Sequence, residues 1–317
     1  MAINKNAKIY VAGHTGMVGS AIVRHLKKEG NNNLILKTRQ ELDLIDQRAV
    51  KLFYENYLPE YVFICAAKVG GIHANNTYRA QFLYENLQIQ NNLIHFAYKS
   101  KVKKLLFLGS SCIYPRDCKQ PINEEYLLSG PLEKTNEPYA IAKIAGIKMC
   151  ENYYNQYGSK FFSIMPTNLY GPNDNYDLNN SHVLPAIIRK IHEAKLTNNE
   201  RVTLWGTGKT LREFMHVDDL ADAAVFIIKL NFDELYNDGL IHLNVGTEKE
   251  ISIKELTKLI KLKMHYEGKI NFDTSRPDGT PRKIMNSTKL YNLGWSPGIS
   301  LDQGIEMTIE NFRHNFK

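Results

Sequence analysis

At 317 residues, with 43% hydrophobic content and interspersed charge, the chain is long enough to bury a sizeable core and too apolar to be disordered. Its 40 Lys and Arg against 33 Asp and Glu leave a net charge of +7; the basic residues are scattered, which argues against a nucleic-acid partner and suits anionic small molecules. No run approaches the ~20 apolar residues of a membrane span, and Met1 to Lys8 holds no apolar signal core. The 4 cysteines, without a C-x-x-C pair or zinc spacing, are those expected of a reduced cytoplasmic protein with no metal site.

From the N-terminus, short apolar runs alternate with helical patterns. Lys8 to Ala12, Leu34 to Lys37, Tyr61 to Ala66, Lys104 to Leu108 and Phe161 to Met165 read as buried parallel strands. Met17 to Glu29, Gln47 to Tyr57, Ala80 to Lys99 and Tyr139 to Tyr157 carry helical spacing between them. This alternation predicts an α/β fold on a doubly wound parallel sheet of the Rossmann type. Beyond Tyr170, the turn-rich Gly171-Pro172-Asn173-Asp174-Asn175 opens a looser region, expected to form a smaller C-terminal α/β substrate lobe. The apolar segment Val217 to Leu230 is expected to return to the sheet, so the lobes interleave: residues 1–170 and 213–246 for the sheet domain, 171–212 and 247–317 for the smaller lobe. The helix from Tyr139 is apolar on nearly every side, through Ala140, Ile141, Ala142, Ile144, Ala145, Ile147, Met149 and Cys150. Such a helix needs cover on both sides, and a second copy of the chain is expected to supply one.

Between the first strand and the first helix stands Gly13-His14-Thr15-Gly16-Met17-Val18-Gly19. Glycines there permit a tight turn and bring a helix N-terminus, with its free N–H groups, against a pyrophosphate. At the end of the second strand, where a site for NAD usually places an acid roughly 20 residues past the glycines, the chain has Lys37-Thr38-Arg39. A guanidinium cannot accept a hydrogen bond from a ribose 2′-hydroxyl but pairs well with a 2′-phosphate, so NADPH is the expected cofactor.

Tyr139 and Lys143 are spaced i, i+4 and so share one helix face. The ammonium is expected to lower the phenol from its ordinary pKa of about 10, and the phenol to protonate a carbonyl oxygen during hydride transfer. Ser110 ends the fourth strand at the carboxyl edge of the sheet, where its hydroxyl would polarise the same carbonyl.

These residues resemble the extended short-chain dehydrogenase/reductase family, and within it the epimerase-reductases of GDP-4-keto-6-deoxy sugars. The likeness runs nearly end to end, through Ala67 to Ile72, Asn75 to Tyr78, Gly109 to Pro115, Thr135 to Lys143, Met165 to Pro172, Asn180 to Val183, Arg212 to Asp219 and Pro277 to Lys283. It implies NADPH-dependent reduction at C4 with epimerisation at C3 and C5, on a GDP-4-keto-6-deoxy-hexose. It also implies cofactor contacts from Gly13, Thr15, Gly16, Met17, Val18 and Gly19, from Arg39 and Leu42, from Leu108, Gly109, Ser110 and Lys143, and from Pro166, Asn168, Leu169 and His182. On the substrate side it implies Lys190, Trp205, Arg212 and Asp278.

The second reaction turns on Cys112. Two residues apart on an extended strand end, Ser110 and Cys112 are expected to face one site. Protons at C3 and C5 flank the ketone and become removable once its developing enolate is stabilised. A thiolate beside a lysine is a suitable base, and the resemblance implies Cys112 in that role with His182 as the acid on the opposite sugar face. Two departures matter: Thr15 stands where relatives can carry an Arg for the 2′-phosphate, which weakens the expected NADPH preference, and Lys190 replaces an Arg and loses its bidentate fork. The nearest rival is a C4-reductase of another GDP-4-keto-6-deoxy sugar, a heptose or a 3,6-dideoxyhexose, with little or no epimerisation. A dehydratase is disfavoured, because Ser111-Cys112 stands where those enzymes carry an Asp-Glu pair.

Overall fold

Ile9-Tyr10-Val11-Ala12 is buried at every position, and the alternation of its side chains divides the molecule into layers. The computed structural model describes residues 3–178, 181–275, 278 and 280–315; Asn180, Pro277 and Gly279 of the blocks above lie outside them. The first part of the chain runs β1 (Ile9–Ala12), α1 (Met17–Lys28), β2 (Leu34–Ile35), α2 (Gln47–Tyr57), β3 (Tyr61–Ile64), α3 (Ile72–Thr77), α4 (Arg79–Lys99), β4 (Lys104–Leu108), α5 (Glu137–Tyr157) and β5 (Phe161–Pro166). It continues with β6 (Asn168–Tyr170), α6 (Val183–Leu196), β7 (Arg201–Trp205), β8 (Leu211–His216), α7 (Val217–Lys229), α8 (Phe232–Asn237) and β9 (His242–Val245). The last elements are β10 (Glu250–Ser252), α9 (Ile253–Lys263), β11 (Lys269–Asp273), β12 (Arg282–Lys283), α10 (Thr288–Asn292) and α11 (Leu301–Asn315).

Six parallel strands form the main sheet in the order β2-β1-β3-β4-β5-β9. Ile9 and Val11 pack with α1 and α7 on one face, while Tyr10 and Ala12 pack with α2, α4 and α5 on the other. This is the doubly wound arrangement, and its order reverses between β1 and β3, the position that opens a crevice at the carboxyl ends of the strands. Local chemistry sets the helix limits: Asp46 accepts from Arg48 N and Ala49 N to start α2, and Gly158, at φ +65°, ends α5 in the left-handed region.

Two smaller sheets complete the chain. β8 pairs with β10 antiparallel and with β12 and β6 parallel, while β7 and β11 form a separate parallel pair. A third apolar cluster joins α6, α9 and α11 around Tyr170 and Phe214. Glu213 ties the sheets together: wholly buried, its carboxylate accepts from the N–H groups of Thr247, Glu248 and Met285.

Three details differ from the sequence expectation. β2 stops at Ile35 and β3 at Ile64, because the chain turns there to line the crevice. The sixth strand, β9, was hidden by its polar residues: His242 and Asn244 are buried, and both bond to the Tyr114 hydroxyl. The largely apolar first half of α5 lies along α4 of the same chain, which supplies part of the cover expected from a second copy, and leaves Ile141 44% exposed. Among the described residues, no helix is long and apolar enough to cross a membrane.

Candidate active site

A cleft of about 770 Å³ opens where the chain leaves β1, β2, β3, β4 and β5. It brings together every expected catalytic residue: Ser110, Cys112, Tyr139, Lys143 and His182. The expected cofactor residues line it too, from the loop at Gly13, Thr15, Gly16, Met17, Val18 and Gly19, through Arg39, Leu42, Leu108 and Gly109, to Pro166, Asn168 and Leu169.

The glycine loop is tight for a stated reason at two positions. Gly13 has φ +80°, and a Cβ there would lie 2.8 Å from the Ala66 backbone; a Cβ on Gly19 would lie 2.2 Å from the Gly13 carbonyl oxygen. Gly16 caps α1, whose first turn contains no acid, so the unpaired N–H groups of the helix start face the cleft without a competing carboxylate. At the β2 end, Glu41 accepts from Thr38 N and Oγ1, each at 2.8 Å, and lies 3.7 Å from Lys37. Glu41 is therefore occupied, and Arg39 is exposed with no carboxylate bound to it among the described residues. A pyrophosphate seat at α1 and a free guanidinium one strand away fit a dinucleotide with a 2′-phosphate.

Tyr139 and Lys143 share one face of α5, but their electrostatics depart from the expectation. Lys143 is 3% exposed, its Nζ donates to the Leu108 carbonyl at 2.7 Å, and it lies 4.7 Å from the Phe107 ring centroid and 5.7 Å from that of Tyr139. Burial brings its pKa down to about 8. The Tyr139 phenol is pushed up, not down, because burial penalises the phenolate and the neighbouring Cys112 adds to the rise. Tyr139 therefore stands as a protonated donor, the form that protonation of a ketone requires.

Ser110 and Cys112 reach the cleft by a route other than strand alternation. Ser110 is extended, but Ser111–Ile113 turn into a 3-10 helix, and the Ser110 hydroxyl accepts from Cys112 N at 3.3 Å. The cap of that turn, not the pleat of a strand, sets Cys112 beside Ser110. Burial raises the Cys112 thiol; the strongest opposing charge is the ammonium of Lys283, ahead of Lys143, which was the expected cation. Lys283 lines the same cleft and carried no role in the sequence reading. Its signal was positional: a lysine next to Arg212 only after β12 pairs with β8. His182 is the N-cap residue of α6, without a side-chain cap hydrogen bond, and lines the cleft. Desolvation, then Lys283, hold its imidazole below the usual value.

Lys190, Trp205, Arg212 and Asp278 do not line this cleft; they form a neighbouring cluster. Lys190 Nζ lies 6.0 Å from the Trp205 ring centroid and donates to the Thr203 carbonyl at 3.0 Å. Trp205 is 69% exposed at the end of β7. Asp278 accepts from Thr207 N at 2.9 Å and Thr207 Oγ1 at 2.7 Å, so it first serves the β7–β8 turn. Its charge acts on the partly buried Arg212, whose strand neighbour across the pair is Lys283. The cluster thus meets the cleft through β8 and β12.

The model of the NAD dependent epimerase/dehydratase family matches residues 9–246. GDP-L-fucose synthase 1 of Arabidopsis thaliana is 57% identical over 312 residues, 98% of this chain and 95% of that protein. GDP-L-fucose synthase of Escherichia coli (strain K12) is 51% identical over 311 residues, 97% of each. Among solved structures, a GDP-D-glycero-L-gluco-heptose synthase from Campylobacter jejuni, crystallised in the presence of NADPH, is 41% identical, with a TM-score of 0.93 over 98% of this chain and 100% of that one. With the glycine loop, Ser110, Tyr139 and Lys143 in one cleft and a family match over most of its length, the chain belongs to the NAD dependent epimerase/dehydratase family.

Proposed function

We propose that this chain is an NADPH-dependent oxidoreductase with epimerase activity, converting a GDP-4-keto-6-deoxy-hexose to a GDP-6-deoxy sugar such as GDP-L-fucose. The observation that carries it is the meeting of a thiol and an imidazole, Cys112 and His182, with Ser110, Tyr139 and Lys143 in one cleft. A plain ketoreductase needs the last three, has no use for a thiol base, and would use His182 only as a cofactor contact. Residues 1–170 and 213–246 then form the cofactor domain, and 171–212 with 247–317 the lobe for GDP-sugar.

In this reading the α1 N-terminus and Arg39 hold the cofactor by its phosphates. When bound, NADPH supplies the hydride. Before reduction, the Cys112 thiolate removes a proton from C3 or C5, and the electron pair passes to the C4 oxygen. There the Ser110 hydroxyl and the Tyr139 phenol donate to the developing oxyanion. His182 returns a proton to the opposite face of the same carbon. In the reduction itself, Tyr139 gives its proton to the C4 oxygen, and Lys143 orients the site from its Leu108 anchor. Lys190 and Arg212 suit the diphosphate, the exposed Trp205 suits stacking on a base, and Asp278 positions the turn between them.

The test is incubation with GDP-4-keto-6-deoxy-mannose and NADPH in deuterated water. NADPH oxidation with deuterium at C3 and C5 of the product supports the reading; failure to oxidise NADPH overturns it. The likeness to a heptose synthase favours a second reading, reduction of another GDP-4-keto sugar. NADPH oxidation without deuterium incorporation selects it. We also read the chain as a cytoplasmic homodimer joined along the α4–α5 pair, where Tyr84 at 58% and Ile141 at 44% exposure offer apolar surface; a monomer in sedimentation equilibrium removes that.

A further inference from the structure

Lys283 lines the cleft with Cys112 and His182 and has no part in the steps above. Its position follows from a two-residue strand. Arg282 and Lys283 of β12 pair with Leu211 and Arg212 of β8, and successive strand side chains face opposite ways. Arg282 takes one face, where it donates twice to the Glu250 carboxylate, at 2.7 and 3.0 Å. Lys283 takes the other and enters the cleft, and among the described residues its ammonium makes no hydrogen bond or ion pair. An ammonium drawn out of water without a carboxylate is costly unless an anion completes its surroundings.

The groups around it narrow the choice of anion. The ionisable groups that act on Lys283 are Cys112, then Arg212, Cys118 and Glu133. Cys112 in turn feels the Lys283 charge, the Ser110 hydroxyl and the Lys143 charge, and it bears on Tyr139. Lys143 is committed to the Leu108 carbonyl. The Lys283 charge also acts on His182, which lines the same cleft. A structural lysine would resemble its neighbour Arg282, paired and facing out.

We propose that Lys283 is a positioning residue of the epimerase half-reaction, acting through Cys112: its ammonium, set in the cleft by β12, stabilises the thiolate that each abstraction requires. This rests on the reading of Cys112 as base and His182 as acid. In each exchange, the thiolate takes one proton from carbon and His182 delivers one to the opposite face. The thiol then returns a proton to the imidazole through solvent, so none is gained or lost. A cation beside this pair stabilises the thiolate and opposes the imidazolium, so removing it raises both apparent pKa values.

The experiment follows deuterium incorporation at C3 and C5 against pH, at saturating substrate and with NADPH oxidation recorded in parallel, for wild type, Lys283→Gln and Lys283→Arg. In Lys283→Gln both limbs of the bell move to higher pH by about one unit, and the ratio of exchange to reduction at neutral pH falls roughly tenfold. Lys283→Arg restores both. A bell that stays in place while KM alone rises overturns the proposal and makes Lys283 a diphosphate contact. A wild type that reduces without exchange removes the base–acid reading beneath it. As a second measurement, the pH midpoint for iodoacetamide labelling of Cys112, resolved by mass in substrate-free protein, rises in Lys283→Gln; an unmoved midpoint also overturns the proposal. Lys283→Met, of similar length, replaces the Gln variant if that one does not fold.

Discussion

On one side of the cleft Ser110, Tyr139 and Lys143 come from a single stretch of chain, the end of β4 and the start of α5. On the other side His182 and Lys283 come from the cap of α6 and from β12, elements that meet only through the small sheet around β8. The first side is held by the buried six-stranded sheet, with Lys143 anchored on a strand carbonyl. The second is built from turns and a two-residue strand. On the proposed reading the difference separates the two chemistries: proton donation to the ketone oxygen draws on the fixed side, whereas inversion at carbon needs groups on both faces of the sugar and so draws on His182 of the assembled side as well.

Substitutions on the two sides sharpen or break that division. Tyr139→Phe removes the proton donor of the fixed side, and NADPH oxidation should fall by about 1,000-fold. Deuterium exchange at C3 and C5 should persist at a reduced rate, since Ser110 still polarises the ketone; equal loss of both would show that the two reactions are not separable. Cys112→Ser should lower exchange by about 100-fold while an already epimerised 4-ketone is still reduced, as read from product mass and NADPH absorbance. Arg39→Ala, remote from both sides, should raise KM for NADPH by roughly tenfold or more, the worth of a charge-assisted hydrogen bond, and leave KM for NADH unchanged. A matching rise for NADH would place Arg39 outside the 2′-phosphate site.

The smallest effect concerns the scaffold under the fixed side. Burial takes His242 down to about 3, with Lys289 and Lys148 adding to the shift and Glu125 opposing it. In the unfolded chain a histidine titrates at about 6.5, so below that pH the unfolded state takes up a proton that the folded state refuses. Stability is therefore full above about pH 6.5 and lost as pH falls toward 3. Urea midpoints at pH 7 and pH 4.5 should differ less in His242→Phe than in wild type; an unchanged difference would assign the acid sensitivity to other groups.

The fixed side was readable in the sequence because its signals are local. Gly13 to Gly19 opens a helix, Tyr139 and Lys143 are one turn apart, and Leu105 to Leu108 is an uninterrupted apolar run in β4; each requires contacts only within its own element. Of the assembled side only His182 was readable, and that through the family resemblance. Lys283 becomes a cleft residue only when β12 finds β8, a register set partly by Glu213 reaching Met285. Even on the readable side, the reasons differed from the outcome at two points. Cys112 faces the site through a capped 3-10 turn where strand alternation was expected, and the Tyr139 phenol is raised by burial, with Cys112 adding to it, where a lowering by Lys143 was expected. Spacing reports which residues are near each other, but desolvation depends on what the rest of the fold places above them.

Glu213 gives this comparison a mechanical side. Its backbone carbonyl accepts from Asn168 Nδ2 at 2.8 Å, and Asn168 lines the cleft. Its carboxylate holds the loop after β9 and the chain just beyond Lys283. The preceding residue, Arg212, belongs to the cluster suited to a diphosphate. A single residue is thus the fulcrum on which nucleotide seating, the cofactor rim and the Lys283 wall all bear. If Arg212 is the diphosphate contact proposed above, a displacement there would bear, one residue later, on Asn168 and on the chain beyond Lys283.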